Sequence, residues 1–235
     1  MTKLPSKSVN IDPVPAIPAE LMVWLSPAFP ISGFAYSQGL EAAVDRAWVS
    51  DRTSLENWLN DLTRHGGLWN DLVLLSLVNR AADKAVITQL VELGNALHPS
   101  SERHFEATTQ GASFRAAYRA GWRKSGAGKC WCDEDEQIAL PVAVGLAARD
   151  YQMDLGTTLL AYGVHFQTNL VSAAMRLSVI GQFDAQKVLA ALLPDLTQVA
   201  AFALVADEDD LGGATFGADL ASIFHETQTT RLFRS

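Results

Sequence analysis

Apolar residues recur at helical spacing along most of the chain, three and four positions apart, from Glu20 to the last residues. No stretch shows the strict alternation that predicts a strand. The first predicted helices begin near Ser37, at a capping box of Thr53 and Glu56 (ending at Gly66), at Asn70, and at Lys84 (ending near Leu97). The next begin near Ser101, around Pro141 and after a cap at Asp154. The last begin after a cap at Asp184 (ending at Pro194), at Leu196, and near Asp219 (ending at Glu226).

This pattern predicts an all-α protein, a compact helical bundle of roughly eight to ten helices joined by short loops. Residues 1–19 are rich in proline and are expected to form a disordered leader. No internal repeat or linker divides the remainder. Residues 20–235 are therefore expected to form a single domain that includes the carboxyl-terminal segment.

Composition narrows the class of protein. The chain has 235 residues and a formal net charge of −8, which argues against nucleic acid as a partner because phosphate binding needs a concentrated basic face. No apolar run approaches the ~20 residues of a membrane helix, and no signal peptide is evident. The only two cysteines, Cys130 and Cys132, are too close to suggest a disulfide framework, which indicates a reducing, cytoplasmic location.

Several fragments resemble known catalytic motifs but fail on spacing. The stretch "GWRKSGAGKC" has Ala127 where a phosphate-binding loop needs lysine. His104-Phe105-Glu106 lacks the cysteine pattern of zinc deaminases, and His225-Glu226 is not followed by a second histidine at position 229. His165, among apolar neighbours, is interpreted as a core histidine. We therefore predict no catalytic residue, no metal site and no cofactor, and we expect a binding protein.

The alternative function left open is metal buffering by the loop around Cys130 and Cys132, with Asp133 nearby. The acidic stretches 133–136 and 207–210 are more typical of solvated loop charge. A carboxylate-bridged metal bundle would need glutamate followed by histidine three residues later, and the chain has no such pair.

The segment "WLSPAFPISGFAYSQGLE" (residues 24–41) resembles the start of the urease accessory protein UreF. Four later segments agree in order: "ERHFEATTQGASF", "LPVAVGLAA", "RLSVIGQ" and "DLASIFHETQTTRLFRS". The resemblance extends from about Leu21 to Ser235 and excludes the loop around Cys130. It implies an all-α protein without catalysis of its own, which binds the scaffold UreD (also called UreH) and the GTPase UreG. The resemblance further implies that the three proteins together deliver nickel to apo-urease and that this chain influences GTP hydrolysis by UreG. It implies no tightly bound nickel on this chain. Family members tend to form homodimers.

The resemblance also indicates a surface. The aromatic amino-terminal segment and the arginine matching Arg231 belong, in the family, to the face that meets the GTPase. We expect the chain's last eight residues, "QTTRLFRS" (Gln228–Ser235, hereafter the tail), to lie against this segment. The expected partner-binding residues are Phe34, Tyr36, Ser37, Gln38, Glu41, His225, Glu226, Arg231, Leu232, Phe233, Arg234 and Ser235. The competing interpretation is that Leu232 and Phe233 only fill the core while both arginines are solvated.

Overall fold

The computed structural model describes residues 17–124 and 130–235. The described residues form ten α-helices and three short 3₁₀ helices and contain no strand, which confirms the all-α prediction. The α-helices are α1 (Ala19–Trp24), α2 (Leu40–Asp45), α3 (Arg52–His65), α4 (Gly67–Arg80), α5 (Lys84–Ala96), α6 (Ser101–Gly121), α7 (Leu140–Asp150), α8 (Leu155–Arg176), α9 (Gln182–Ala203) and α10 (Phe216–His225). Residues 1–16 of the predicted leader lie outside the described residues, and Ala19 already belongs to α1.

Side-chain caps begin four of these helices. Asp51, Asp83, Ser100 and Asp154 each accept a hydrogen bond from a backbone N–H of the first turn. The predicted capping box at Thr53 and Glu56 is wrong: Asp51 and Ser54 form it, with Ser54 N–H donating to the Asp51 carboxylate at 2.8 Å. The observed capping box therefore lies two residues before the predicted one and begins the same helix.

Helices α4 and α7 form the centre of the bundle. Helix α4 packs against α3, α5, α7, α8 and α9, and α7 is buried from Leu140 to Ala148. A helix that is apolar on every side can only lie inside a protein. The two helices approach closely at Gly145, where an added Cβ would lie 2.4 Å from a methyl group of Val78.

An aromatic cluster fixes α1 to the bundle. The buried ring of Trp24 contacts four rings from α6 and the adjoining ends of α6 and α7, namely Phe114, Tyr118, Trp122 and Tyr151, at centroid separations of 5.1 to 6.0 Å. Such contacts are mostly edge-to-face, the arrangement that aromatic quadrupoles favour. The chain that follows Trp24 is therefore anchored at its start.

Three predictions about helix ends are wrong. Helix α9 continues through Pro194 and includes the segment predicted as a separate helix from Leu196. Gly181 precedes α9 in the cap position predicted for Asp184, which lies in the first turn. Near the amino terminus, the helix predicted to begin near Ser37 begins at Leu40.

Gly111 in α6 packs closely against the backbone that precedes α7, since an added Cβ would lie 1.9 Å from the carbonyl oxygen of Ile138. We predict that Gly111→Ala lowers the free energy of unfolding by about 3 kcal/mol, measured by urea denaturation, because the backbone at Ile138 must move. Gly121 ends the same helix and has no atom within 4 Å of an added Cβ. Gly121→Ala should leave stability unchanged or raise it by up to ~1 kcal/mol. Equal stability of the two variants would contradict the proposed close packing.

Candidate partner-binding surface

The amino-terminal segment turns sharply before α2. A 3₁₀ helix over Gly33–Ala35 is followed by extended Tyr36, and both Gln38 and Gly39 have left-handed backbone angles. Gly39 also meets α10 closely, because an added Cβ would lie 2.7 Å from the backbone nitrogen of Ser222. Glycine therefore satisfies two constraints at this position, a positive φ and a contact with no room for a side chain.

The tail lies alongside this turn, as the sequence predicts. The backbone N–H of Arg234 donates to the carbonyl of Ala35 at 2.9 Å. The backbone N–H of Ser37 donates to the carbonyl oxygen of Ser235 at 2.7 Å, and its hydroxyl donates to the same oxygen at 2.5 Å. These hydrogen bonds join residues nearly 200 positions apart, and they fix the last residues of the tail to the segment before α2.

Glu41 in α2 holds the middle of the tail. Its two carboxylate oxygens accept hydrogen bonds from the backbone N–H groups of Leu232, at 2.6 Å, and Phe233, at 2.9 Å. The residue is buried, with 7% of its surface exposed. A buried carboxylate is tolerated only when donors surround it, and here the tail supplies two of them.

Helix α10 connects to the same site through His225 and Glu226. Nδ1 of His225 lies 2.6 Å from a carboxylate oxygen of Glu102, and Nε2 lies 3.1 Å from Glu41. The other oxygen of Glu102 accepts from Arg231 at 2.5 Å. Glu226 caps the start of α6, accepting from the N–H and hydroxyl of Ser101, and the hydroxyl hydrogen bond is the main cause that lowers the pKa of Glu226.

Helix α6 supplies a second buried carboxylate, Glu106. It pairs with Arg103 and accepts from the hydroxyl of Ser235 at 2.5 Å. Glu106 also lies within hydrogen-bonding distance of two amide side chains, 3.4 Å from that of Gln38 and 3.3 Å from that of Gln110. The carboxyl-terminal end of the tail therefore rests on α6 as well as on α2.

The phenyl ring of Phe233 is buried below the tail. The guanidinium of Arg176 lies 4.3 Å from the ring centroid, and the same guanidinium donates to the carbonyl of Phe34. Leu232, in contrast, is 55% exposed. The competing interpretation, in which both residues fill the core, therefore holds for Phe233 and fails for Leu232.

Of the twelve predicted residues, six are buried, two are partly buried and four are exposed. The buried members, which hold the tail in place, are Tyr36, Ser37, Glu41, His225, Phe233 and Ser235. Gln38 and Glu226 are partly buried. The exposed members, hereafter the docking platform, are Phe34, Arg231, Leu232 and Arg234.

The last helix has one exposed side and one closely packed side. Ile223 is 43% exposed, whereas His225 is fully buried and Phe224 packs against the core. The close contact at Gly39 explains this, because the inner face of α10 has room only for small residues such as Ala221 and Ser222.

Sequence reasoning missed Glu102, Glu106 and Arg176 as parts of the site. All three residues lie in segments that carry the family resemblance. Glu102 and Glu106 are one helical turn apart in one segment, and Arg176 is the first residue of another. On a predicted helix, however, charges at this spacing are more typical of a solvated face.

Two cavities lie beneath the site. One, of about 280 Å³, extends between α4, α6 and the segment before α10, and a smaller one of about 30 Å³ lies below Tyr36. Both reach Asp71, which accepts a hydrogen bond from the hydroxyl of Tyr162 at 2.8 Å. Burial raises the pKa of Asp71 to about 7, although the hydrogen bond from Tyr162 opposes the shift.

The described part of the loop around Cys130 includes a 3₁₀ helix, Trp131–Asp133. Cys132 is fully buried in a 3₁₀ helix, and burial, together with a hydrogen bond to Cys130, raises the pKa of its thiol to about 12. Metal binding requires a thiolate, so this environment opposes the metal-buffering alternative. Residues 125–129 of the loop lie outside the described residues. Across the rest, no group of three or more histidine, cysteine, aspartate or glutamate side chains is arranged to hold a metal ion.

His165 is interpreted correctly as a core histidine. Its Nδ1 lies 2.8 Å from the carbonyl of Leu25 and its Nε2 lies 3.0 Å from the amide nitrogen of Asn169. Burial lowers the pKa of His165. The residue links α8 to the chain that leads from α1 into the site.

Comparison with known proteins gives a consistent result. The UreF family model matches residues 49–193. The chain belongs to the UreF family of urease accessory proteins. It is 45% identical over 218 residues to the urease accessory protein UreF of Rhodopseudomonas palustris strain HaA2, an alignment covering 92% of each chain. It is 44% identical to that of Methylobacterium radiotolerans, covering 92% of this chain and 95% of the relative, and 41% identical to that of Methylorubrum populi, covering 92% and 97%.

The match to the family model does not include the docking platform, because Phe34 precedes residue 49 and the other platform residues follow residue 193. The longer alignments with relatives cover nearly the whole chain. Among the described helices, none is both long and apolar enough to cross a membrane.

We predict a pH-dependent contribution of Asp71 to stability. In the folded chain its pKa is raised to about 7, above the ~4 of an unfolded aspartate, so the folded state binds more protons between these values. Wild-type stability should therefore fall as pH rises from about 4 to about 7, by up to the order of 4 kcal/mol. Asp71→Asn should remove that fall and be the more stable protein near pH 8.

Urea denaturation at a series of pH values measures this effect. The exposed Asp61 provides a matched control, and Asp61→Asn should follow the wild-type profile. If Asp71→Asn kept the full wild-type slope, the titrating group would have to be another residue.

Proposed function

We propose that this chain is an adaptor in urease maturation, which holds the GTPase UreG and the scaffold UreD in a fixed geometry while nickel is delivered to apo-urease. The observation that carries the proposal is the docking platform. Two arginines and Leu232 are exposed on a tail whose backbone donates hydrogen bonds to the buried carboxylate of Glu41, and Phe34 is exposed on the neighbouring amino-terminal segment. Arginine and aromatic side chains on a preorganised backbone are typical of protein interfaces.

The surface around the platform supports a protein partner. An open depression of about 630 Å³ lies beside the tail and is lined by Arg231, Arg234 and Phe105, among other residues. The ring of Phe105 is 57% exposed. A depression with an apolar wall and cationic rim suits a partner that inserts an apolar side chain flanked by carboxylates. We assign this surface to UreG.

Arg231 acts in this proposal as a docking residue. Its guanidinium is already paired with Glu102, which limits its reach toward a nucleotide. The influence of the chain on GTP hydrolysis then comes from the orientation of UreG. We propose no catalytic activity and no resident metal for this chain, because the charged groups below the platform are engaged in binding the tail.

A bridging role needs a second surface, and we propose the outer face of α10 for the scaffold. Phe216, Leu220 and Ile223 follow one another at helical spacing and are exposed by 75%, 46% and 43%. A stripe of large apolar side chains on the outside of a helix is unusual unless another protein covers it.

The expected homodimer would use a third surface, on α8. From Leu155 to Met175 this helix carries no lysine, arginine, aspartate or glutamate. Its outer positions include the exposed Val164 and Thr168, and the exposed Met22 lies on α1, which packs against α8. Depletion of charge is characteristic of the centre of an interface. We place the assembled protein in the cytoplasm, where the thiols of Cys130 and Cys132 remain reduced.

The first test concerns the platform. Arg231→Ala should weaken binding to UreG roughly 30-fold, the equivalent of ~2 kcal/mol, measured by isothermal titration. Leu232→Ser removes an exposed side chain without touching the carboxylates below and should weaken binding about tenfold. Arg119→Ala, at an exposed position near the end of α6, is the control and should bind normally. A folded Arg231→Ala and a folded Leu232→Ser that both bind as tightly as wild type would refute the platform.

The second test separates the two partners. The double variant Leu220→Ser, Ile223→Ser should lose co-purification with UreD at least tenfold and retain UreG, because neither residue belongs to the docking platform. Phe183→Ser, which changes an 86% exposed ring at the start of α9, is the control. Retained UreD binding would contradict the assignment of α10, and a shift to monomer in sedimentation would identify the stripe as the homodimer face instead.

A further inference from the structure

A buried ionic cluster joins α2, α6, α10 and the tail. Its carboxylates are Glu41, Glu102 and Glu106, and its cationic partners are Arg103, Arg231 and His225. Arg103 pairs with Glu106 and Arg231 pairs with Glu102. The remaining carboxylate, Glu41, has no charged partner in the cluster other than His225.

The imidazole of His225 lies between two carboxylates. It is fully buried, with Nδ1 2.6 Å from Glu102 and Nε2 3.1 Å from Glu41. An ionised carboxylate only accepts hydrogen bonds, and a neutral imidazole carries one N–H. In the neutral form, therefore, one ring nitrogen would direct its lone pair at a carboxylate oxygen.

Neither carboxylate is suited to carry the missing proton. Both oxygens of Glu41 accept backbone N–H groups of the tail, and the second oxygen of Glu102 accepts from the guanidinium of Arg231. A proton on the Glu102 oxygen that faces Nδ1 would satisfy that ring nitrogen, but it would leave the guanidinium of Arg231 and the carboxylate of Glu41 without a charged partner. Each carboxylate of the cluster has a cationic partner only when the imidazole has both protons.

We propose that His225 is a buried imidazolium and that it is the positioning residue of the docking platform, holding Glu41 and Glu102 so that they in turn hold the tail. A ring with only one proton would direct a lone pair at a carboxylate oxygen and would weaken the hydrogen bonds that Glu41 accepts from the amides of Leu232 and Phe233. Only the effect on a partner rests on the function proposed above.

Other charged groups lie on or next to the helices of the cluster. Arg46 follows α2 and lies over the ring of Phe224, Asp219 is in the first turn of α10, and Glu226 follows its last residue. Asp71, whose pKa is raised, interacts electrostatically with Arg103 and Glu106. None of these contacts the ring nitrogens of His225. A readout specific to the ring is therefore needed, because bulk stability also responds to Asp71.

The direct test is ¹⁵N NMR of the ring nitrogens of His225 in the full chain, assigned with His225→Gln. We expect both nitrogens to be protonated at about pH 7, while the exposed His65 serves as the internal reference. A spectrum with one protonated and one unprotonated ring nitrogen in the folded chain at that pH overturns the proposal. This outcome does not depend on any partner.

Variants test the positioning role. His225→Gln should raise the hydrogen-exchange rates of the Leu232 and Phe233 amides at least roughly tenfold and weaken UreG binding by a similar factor, although the residue cannot touch UreG. His65→Gln is the control and should change neither. Unchanged exchange of the tail amides in folded His225→Gln overturns the role; if this variant fails to fold, the same exchange measurement on His225→Asn decides it by the same criterion. Failure of the wild-type chain to bind UreG would overturn the proposed function and leave the NMR result standing.

Discussion

A single buried carboxylate, that of Glu41, links the two ends of the chain. It accepts hydrogen bonds from two successive backbone amides of the tail and faces the imidazole of His225. A charge in this position is costly unless donors saturate it, and removing the tail would leave the charge unsatisfied. The free energy that keeps the tail docked therefore includes the cost of leaving the buried charge of Glu41 without these hydrogen bonds.

This constraint explains the division between buried and exposed residues. Phe233 and Ser235 lie inward on α2 and α6, so that Arg231, Leu232 and Arg234 are displayed outward from a fixed backbone. A tail ordered before a partner arrives has less conformational entropy to lose on binding. The carboxylate of Glu102 below the tail also explains why a protein of net charge −8 carries Arg231 there, since the two side chains are paired.

Much of the fold could be predicted from local signals, and the failures have physical reasons. Helices with a capping residue and an apolar stripe, such as α5 and α6, begin where the sequence indicates. Pro194 was predicted to end a helix, but α9 continues past it because Leu196, Val199 and Ala200 bury the following turns. Tertiary packing here outweighs one missing backbone hydrogen bond.

The site was predictable in position but not in detail. The family resemblance and the apolar tail indicated that the two ends of the chain meet. The orientation of α10 depends on the contact between Gly39 and Ser222, which no periodicity in α10 reveals. Likewise the sequence did not identify Glu102 and Glu106 as part of the site. Their hydrogen-bond partners in the tail region, His225 and Ser235, lie more than 100 residues away along the chain.

The most direct test of the central claim compares the full chain with one that lacks residues 228–235, measuring the dissociation constant for UreG by isothermal titration. If the docked tail is the recognition surface, the shortened chain should remain helical by circular dichroism and lose binding by at least roughly 100-fold, ~3 kcal/mol. A shortened chain that binds UreG with the affinity of the full chain would contradict the account.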